Sequence, residues 1–290
     1  KKERANMAAE RIDGKAIADE IKKEAAAEAA ALKAQGVEPC LAVILVGNDS
    51  ASQVYVNNKK KACEAVGIRS VSYTLDENAE ESELLQLVDT LNLDSSVHGI
   101  LVQLPLPEHM DETKVIVAIS PEKDVDCFHP MNVGRLTSGL DGFLPCTPAG
   151  VIEILKRTGH DIAGKNCAII GRSNLVGKPL ALLMTRENAT VTLCHSKTQN
   201  LAEVCRRADI LVSAAGKAGL VTGDMVKDGA VVIDVGMNRN AEGKLCGDVV
   251  YDEAAEKASA VTPVPGGVGL MTVAMLMKNC IRAAKKVSGM

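Results

Sequence analysis

"AIIGRSNLVGKPLALLM" occupies residues 168–184, and its reading decides the fold. An apolar run meets Gly171, a short polar loop follows, and an apolar helical stretch begins near Gly177. Strand, tight loop and helix in that order are the context that a dinucleotide-binding turn requires. The spacing departs from G-x-G-x-x-G, because Ser173 stands where the second glycine belongs and Gly177 comes one residue late. Backbone N–H groups at a helix start attract anions, so this loop is expected to hold a cofactor phosphate. A plain strand-to-helix turn, with its glycines serving only packing, is the alternative.

The next strand bears on which dinucleotide is bound. NAD-specific folds place a carboxylate about 20 residues on, where it accepts bonds from the ribose hydroxyls. Here "VTLCHSKT" (191–198) ends in Cys194, His195, Ser196 and Lys197 without any carboxylate. Those donors, with the Arg172 guanidinium, suit a 2′-phosphate that a carboxylate would repel. The sequence favours NADP.

Around this turn, apolar strands alternate with helices. "NCAIIG" (166–171), "ATVTLC" (189–194), "DILVSAA" (209–215), "GAVVIDVG" (229–236) and "ASAVTPVPGGVG" (258–269) read as strands with their loops. Helices are expected over 148–158, 199–207 and 270–286. The first half repeats the scheme: a helix over 8–35, the strand "CLAVILVG" (40–47), a helix bearing Tyr55 and Lys59, and the strand "RSVSYTL" (69–75). A helix over 80–92 and the strand "GILVQL" (99–104) follow. This order predicts two α/β domains, the second Rossmann-like, with a ligand cleft between them. Residues 120–150 show little periodicity and read as a long functional connection.

Composition narrows the function. Among 290 residues, 33 are basic and 37 acidic, so no cationic excess exists to neutralise nucleic-acid phosphates. No apolar run reaches the roughly 18–20 residues that span a bilayer, so no membrane partner is expected. The nine cysteines form no C-x-x-C pair and sit mostly in apolar runs, which suits reduced thiols in the cytoplasm. No metal-ligand spacing appears. His98, His109, His129 and His160 fall at element ends and read as surface or turn residues. "KKERAN" lacks the apolar core of a secretory signal, and Met7 reads as a natural start.

"SASQVYVNNKKKACEAVGI" sets Tyr55 and Lys59 at i and i+4 on one helical face, with Ser52 on the same side. "HGILVQLPLP" puts Gln103 at the carboxyl end of a parallel strand, where open α/β sheets bind ligands. "PEKDVDCF" carries Asp126.

With "IDGKAIA", "PCTPAG", "GRSNLVGKP", "TPVPGGVG" and "MTVAMLM", these segments resemble the bifunctional methylenetetrahydrofolate dehydrogenase/methenyltetrahydrofolate cyclohydrolase family over nearly the whole chain. The resemblance implies a folate-binding catalytic domain of residues 7–147 plus 271–290, an NADP-binding domain of residues 148–270, and a homodimer. It implies that Lys59 is the central catalytic group, that Gln103 bonds it, that Tyr55 lines the site, and that Asp126 holds the pterin. Ser52, Val102 and Leu104 would complete the folate pocket. Pro265, Gly266, Gly267, Val268 and Gly269 would close over folate. Gly171, Arg172, Ser173, Gly177, His195 and Ser196 would hold NADP, together with Thr147 and Met237. Cys127 stands in place of the family's glycine, and Leu270 in place of its proline.

The implied chemistry is oxidation of 5,10-methylenetetrahydrofolate by NADP⁺, then hydrolysis of the methenyl cation to 10-formyltetrahydrofolate. A partly buried lysine with a lowered pKa would serve as its general acid/base. Three alternatives remain at this point: a dehydrogenase of shikimate-dehydrogenase type, a monofunctional relative, and an NADP-binding sensor without chemistry.

Overall fold

The structure is a computed structural model that describes residues 9–289; Met7 lies outside the described residues. The chain opens with β1 (Glu10–Arg11) and α1 (Gly14–Ala34). A helix over the whole of 8–35 is therefore not what forms. The N–H of Glu10 donates to Ser259 O at 2.8 Å and that of Ile12 to Val261 O at 3.0 Å, which holds this segment extended. Asp13 then starts the helix by accepting the N–H groups of Lys15 and Ala16 on Oδ1. A side chain that satisfies first-turn amides marks where a helix begins.

By internal packing the chain divides into two units. The unit of residues 19–146 and 273–289 contains β2 (Cys40–Val46), α2 (Ser50–Val66), β3 (Arg69–Leu75), α3 (Glu81–Leu93), β4 (Gly99–Val102) and α4 (Glu112–Ala118). Its parallel sheet has the order β3-β2-β4. All seven residues of β2 are buried, as a strand covered on both faces requires. Alternate residues Cys40, Ala42, Ile44 and Val46 share one core with Leu84, Val88 and Leu91 of α3. The register brings Ile44 opposite Val102, so Gln103 emerges at the carboxyl edge of the sheet.

The segment 120–150 is not irregular throughout. It contains α5 (Pro130–Thr137), and α6 (Cys146–Arg157) begins two residues before the expected start. His129 caps α5, its Nδ1 accepting the Met131 N–H at 3.0 Å, and Pro130 fits the first turn, where no N–H is needed. Eight residues are too few for a helical period to stand out in the sequence. His98 also departs from expectation. It is buried, and its Nδ1 accepts the Cys40 N–H at 3.2 Å.

The other unit holds residues 9–18 and 147–272. It contains β5 (Asn166–Ile170), α7 (Gly177–Arg186), β6 (Thr190–Cys194), α8 (Leu201–Cys205), β7 (Ile210–Ser213), β8 (Val231–Asp234), β9 (Asn238–Arg239), β10 (Leu245–Cys246), α9 (Tyr251–Ala255) and β11 (Ala260–Val261). The last helix, α10 (Val268–Val287), runs on from it. Its six-stranded parallel sheet has the order β1-β11-β8-β7-β5-β6. Because β1 pairs with β11, residues 9–18 belong to this unit rather than with residues 19–146. From β5 the chain winds outward to β6, then crosses back to β7 on the other side. The gap between β5 and β7 is thus the switch point, where open α/β sheets bind ligands.

All nine cysteines are free thiols, and eight of them are buried. Among the described residues no helix is long and apolar enough to cross a membrane.

Candidate active site

In the unit of residues 19–146 and 273–289, α2 carries Ser52, Tyr55 and Lys59. Asp49 starts this helix by accepting the Ser52 N–H at 2.7 Å, which fixes the rotation of the face that follows. Ser52 is buried, Lys59 half-buried and Tyr55 exposed. Lys59 Nζ donates to Gln103 Oε1 at 2.9 Å, across 44 residues of sequence. Gln103 is held by its own backbone N–H on Ile44 O at 2.9 Å and by its Nε2 on Leu104 O at 2.8 Å. Its carbonyl oxygen is thereby aimed at the lysine. The Val102 side chain belongs to the apolar core with Ile44 and Leu84, so only its main chain is placed to meet a ligand.

Asp126 joins this group through electrostatics. Burial pushes its carboxyl above the ordinary aspartate range, with Lys59 opposing that shift and Asp124 adding to it. The cation facing Asp126 is therefore Lys59 and not Lys123, its neighbour in sequence. Lys123 turns its Nζ to the Leu91 and Asp94 carbonyls at the end of α3. Asp124 is occupied structurally, accepting from the Phe128 and His129 N–H groups and from Asn132 Nδ2.

Two further residues of this group were not singled out from the sequence. Cys146 Sγ lies 3.6 Å from Val125 O and 3.8 Å from Asp126 Oδ1. Asn279 of α10 donates Nδ2 to Val125 O at 2.7 Å and to Leu144 O at 2.9 Å, tying together the segments that present Asp126 and Cys146. A polar side chain within the apolar stretch "MLMKNC" is the signal that could have drawn attention to Asn279. Cys127 adopts φ +62°, in the left-handed region, which explains why a glycine suits this place. Its thiol donates to Phe143 O at 3.2 Å.

In the other unit, Gly171 ends β5 with φ +117°, and a Cβ there would come within 2.2 Å of Ala214 O. A Cβ on Gly177 would lie 1.9 Å from Gly171 O. Backbone crowding therefore demands both glycines. The helix-start amides are not left open for an anion as expected. Ser173 Oγ accepts the N–H groups of Val176 and Gly177 at 3.1 and 3.4 Å, and Ser173 O accepts that of Lys178 at 3.1 Å. The serine in place of the second glycine thus satisfies, through its hydroxyl, the amides of the N-cap residue Val176 and of Gly177.

An anion would meet other groups. Arg172 is exposed and makes no ion pair among the described residues. Gly171 N–H donates to Cys194 O at 2.9 Å, so the loops after β5 and β6 are adjacent. The second of these presents His195, Ser196 and Lys197. His195 Nδ1 accepts the Lys197 N–H at 3.1 Å, which leaves the ring proton on Nε2. Cation, hydroxyl and imidazole donors without a carboxylate fit a phosphate monoester.

Of the other expected positions, Thr147 Oγ1 and Thr272 Oγ1 share a 2.8 Å hydrogen bond. Met237 is exposed, its Cε 3.2 Å from where a Cβ on Gly269 would be. Pro265, Gly266 and Gly267 form a turn, but Val268 and Gly269 already belong to α10. Leu270 makes only one long bond in this first turn, its N–H reaching Gly267 O at 3.4 Å, so a proline there would forfeit little. Asp234 and Asp248, both buried, were also missed. Among the described residues no group of three His, Cys, Asp or Glu is arranged to hold a metal ion.

Two domain models match this chain: the catalytic domain of tetrahydrofolate dehydrogenase/cyclohydrolase over residues 12–126, and its NAD(P)-binding domain over residues 145–288. The bifunctional protein FolD of Agathobacter rectalis is 62% identical over 95% of this chain and 99% of its own. The crystal structure of the bifunctional FolD dehydrogenase/cyclohydrolase from Campylobacter jejuni has 52% identity and a TM-score of 0.95, covering 96% of this chain and 99% of that one. The Trypanosoma brucei dehydrogenase–cyclohydrolase, solved with NADP cofactor and inhibitor, has 42% identity and a TM-score of 0.92, covering 97% and 98%. A shikimate 5-dehydrogenase from Thermus thermophilus is similar in fold alone, at 16% identity and a TM-score of 0.52.

Proposed function

The chain belongs to the tetrahydrofolate dehydrogenase/cyclohydrolase family, and from that premise we propose that it oxidises 5,10-methylenetetrahydrofolate with NADP⁺ and hydrolyses the product to 10-formyltetrahydrofolate. The observation that carries this reading is the 2.9 Å bond from Lys59 to Gln103, with Asp126 within electrostatic reach of the same lysine. The shikimate-dehydrogenase alternative has a likeness of fold alone in its favour.

Asp126 anchors the pterin, because an ionised carboxylate can accept two parallel N–H donors from the amidine edge of that ring. Cys146 and Asn279 hold Asp126 in place for this task. Ser52 and Tyr55 stand on the face of α2 that bears Lys59 and line the same pocket, with Leu104 and the Val102 main chain at its strand end. The turn of Pro265, Gly266 and Gly267, with the first residues of α10, Val268 and Gly269, also serves the folate.

NADP⁺, when bound, supplies the hydride acceptor. Arg172, Ser196 and the Nε2–H of His195 bind its 2′-phosphate. Gly171, Ser173 and Gly177 shape the turn beneath the dinucleotide, and Thr147 and Met237 border it.

Hydrolysis needs a proton carrier at the one-carbon centre. The Lys59 amine is placed to take a proton as water adds to the methenyl carbon. The same group then returns that proton to the ring nitrogen as its carbon–nitrogen bond breaks, while the O–H proton of the hydrated carbon passes to solvent and the formyl C=O forms. Gln103 orients the amine by accepting one of its N–H bonds and so sets where the lone pair points.

The same reading includes a homodimer and a cytoplasmic setting, supported by the resemblance and by nine unpaired thiols. Light scattering on the purified protein tests the first. The function is tested spectrophotometrically with 5,10-methylenetetrahydrofolate, comparing NADP⁺ with NAD⁺ and then following decay of added methenyltetrahydrofolate. Absence of NADPH formation overturns the dehydrogenase assignment, and methenyl decay at the buffer rate overturns the cyclohydrolase.

A further inference from the structure

We propose that Asp248 is a positioning residue for the cofactor: its carboxylate fixes the loop after β7 as one wall of the dinucleotide crevice. The proposal rests on the NADP-binding role just given to this unit.

The geometry is unusually complete for a side chain far from any motif. Asp248 is fully buried, and no ion pair reaches it among the described residues. Its Oδ2 accepts Ser213 Oγ at 2.9 Å and the N–H groups of Ala215 and Gly216 at 2.7 and 3.2 Å. Its Oδ1 accepts the Lys217 N–H and Asn238 Nδ2, both at 2.9 Å. A buried carboxylate without a cation is costly, and five donors converging on two oxygens offset that cost.

What these donors have in common is their place. Ser213 ends β7, and residues 215–217 form the loop that follows it; Asn238 lies beyond the end of β8. This is the carboxyl side of the sheet, next to the switch point between β5 and β7. Ala214 is the residue whose carbonyl lies against Gly171, at the start of the dinucleotide turn. In a planar trans peptide the C=O points opposite to the N–H. With the N–H groups of residues 215–217 turned onto Asp248, the carbonyls of Ala214, Ala215 and Gly216 face the other way. For Ala214 that direction is toward Gly171.

Asp248 is itself held by a second carboxylate. Asp234, at the end of β8, accepts the Asp248 and Val249 N–H groups at 3.0 and 2.9 Å and that of Gly236 at 2.9 Å. There is no room for a larger residue between them, since a Cβ on Gly247 would lie 1.8 Å from Asp234 Oδ2. The loops after β7 and β8 are thus locked to each other from behind, on the side away from the dinucleotide turn. Without the lock, the peptides of residues 214–217 would be free to rotate and the wall would lose its shape.

Asp248→Asn puts an amide NH₂ where backbone N–H donors converge, and Asn238→Ala removes one donor while leaving the carboxylate. Both are measured by calorimetric binding of NADP⁺ and by cofactor-free hydrolysis of methenyltetrahydrofolate, with thermal melts for the folded fraction. For Asp248→Asn the NADP⁺ Kd should rise about tenfold or more, the loss of one charge-assisted bond. For Asn238→Ala it should rise about threefold. Methenyl hydrolysis by both should stay within about twofold, because its proton carrier, Lys59, and its pterin anchor, Asp126, lie in the other unit. An NADP⁺ Kd within twofold of wild type in a folded Asp248→Asn protein overturns the proposal. If that variant does not fold, an unchanged Kd in Asn238→Ala overturns it. A wild-type protein that fails to bind NADP⁺ would instead overturn the cofactor assignment itself.

Discussion

In the proposed function Lys59 serves hydrolysis and Arg172 serves cofactor binding, and each can be removed alone. Lys59→Met keeps the side-chain length and deletes the amine. General acid–base groups contribute about 10²–10⁴-fold, so methenyl hydrolysis should fall by at least about 100-fold. Hydride transfer needs no protein proton carrier, and part of the dehydrogenase activity should survive. Following NADPH formation and methenyl decay separately on the folded variant checks both halves; wild-type hydrolysis would take Lys59 out of the mechanism. Arg172→Ala combined with Ser196→Ala removes charge-assisted bonds worth about 1.5–3 kcal/mol each. NADP⁺ binding should weaken by more than about tenfold, and NAD⁺ binding much less. Equal losses would mean that the 2′-phosphate lies elsewhere. Asp126 adds a pH dependence with a defined sign. Burial raises its pKa, so it takes up a proton at a higher pH than an ordinary aspartate. In the proposed pterin-anchoring role only the ionised form accepts two donors, and the folate KM should therefore climb as the pH falls through that raised value. Asp126→Asn should raise the KM in both reactions and flatten this acid limb. An acid limb that persists in Asp126→Asn belongs to another group.

At the scale of elements, the strand–turn–helix of β5 and α7 shows how a motif can fail as a pattern and still hold as structure. Gly171 and Gly177 remain because backbone atoms pass too close for a Cβ. Ser173 could replace a glycine because its hydroxyl occupies the amides of Val176 and Gly177. Losing a side-chain hydrogen bond to such amides costs about 1 kcal/mol. Ser173→Ala should therefore lower the melting temperature measurably, and a variant that melts with wild type would show these bonds to be energetically idle. The same scale separates readable elements from unreadable ones. β2 was legible because seven apolar residues between Pro39 and Gly47 can only be a short buried strand. β1 was not, because Glu10 and Arg11 carry no strand signal of their own and become extended only on meeting β11. α5 lay hidden because eight residues with two glycine- and proline-type breakers give no clear period.

Over the whole molecule, the two units offer a test of where the cofactor acts. A ligand that binds only the folded protein stabilises it by about 2.7 kcal/mol at 100 times its Kd. NADP⁺ at that excess should increase hydrogen-exchange protection in residues 147–272, with β5 and β7 gaining most. Residues 19–146 should change less, and NAD⁺ at the same concentration should do less everywhere. Protection gained chiefly in residues 19–146 would place the dinucleotide on the wrong unit.

By itself the sequence determined the two α/β series, the dinucleotide turn, the absence of a carboxylate after β6, and the helix face of Ser52, Tyr55 and Lys59. These are properties of neighbours: apolar runs, breakers and helical spacing act over a few residues, and a reader of the chain sees them directly. Only the tertiary structure decided that Asp126 answers to Lys59 rather than to the adjacent Lys123. It alone brought Asn279 onto Val125 O from 154 residues away and Asp248 onto the loop after β7 from 31 to 35 residues away. A buried carboxylate or amide is stable only where donors or acceptors converge on it, and that convergence exists only once the chain has folded.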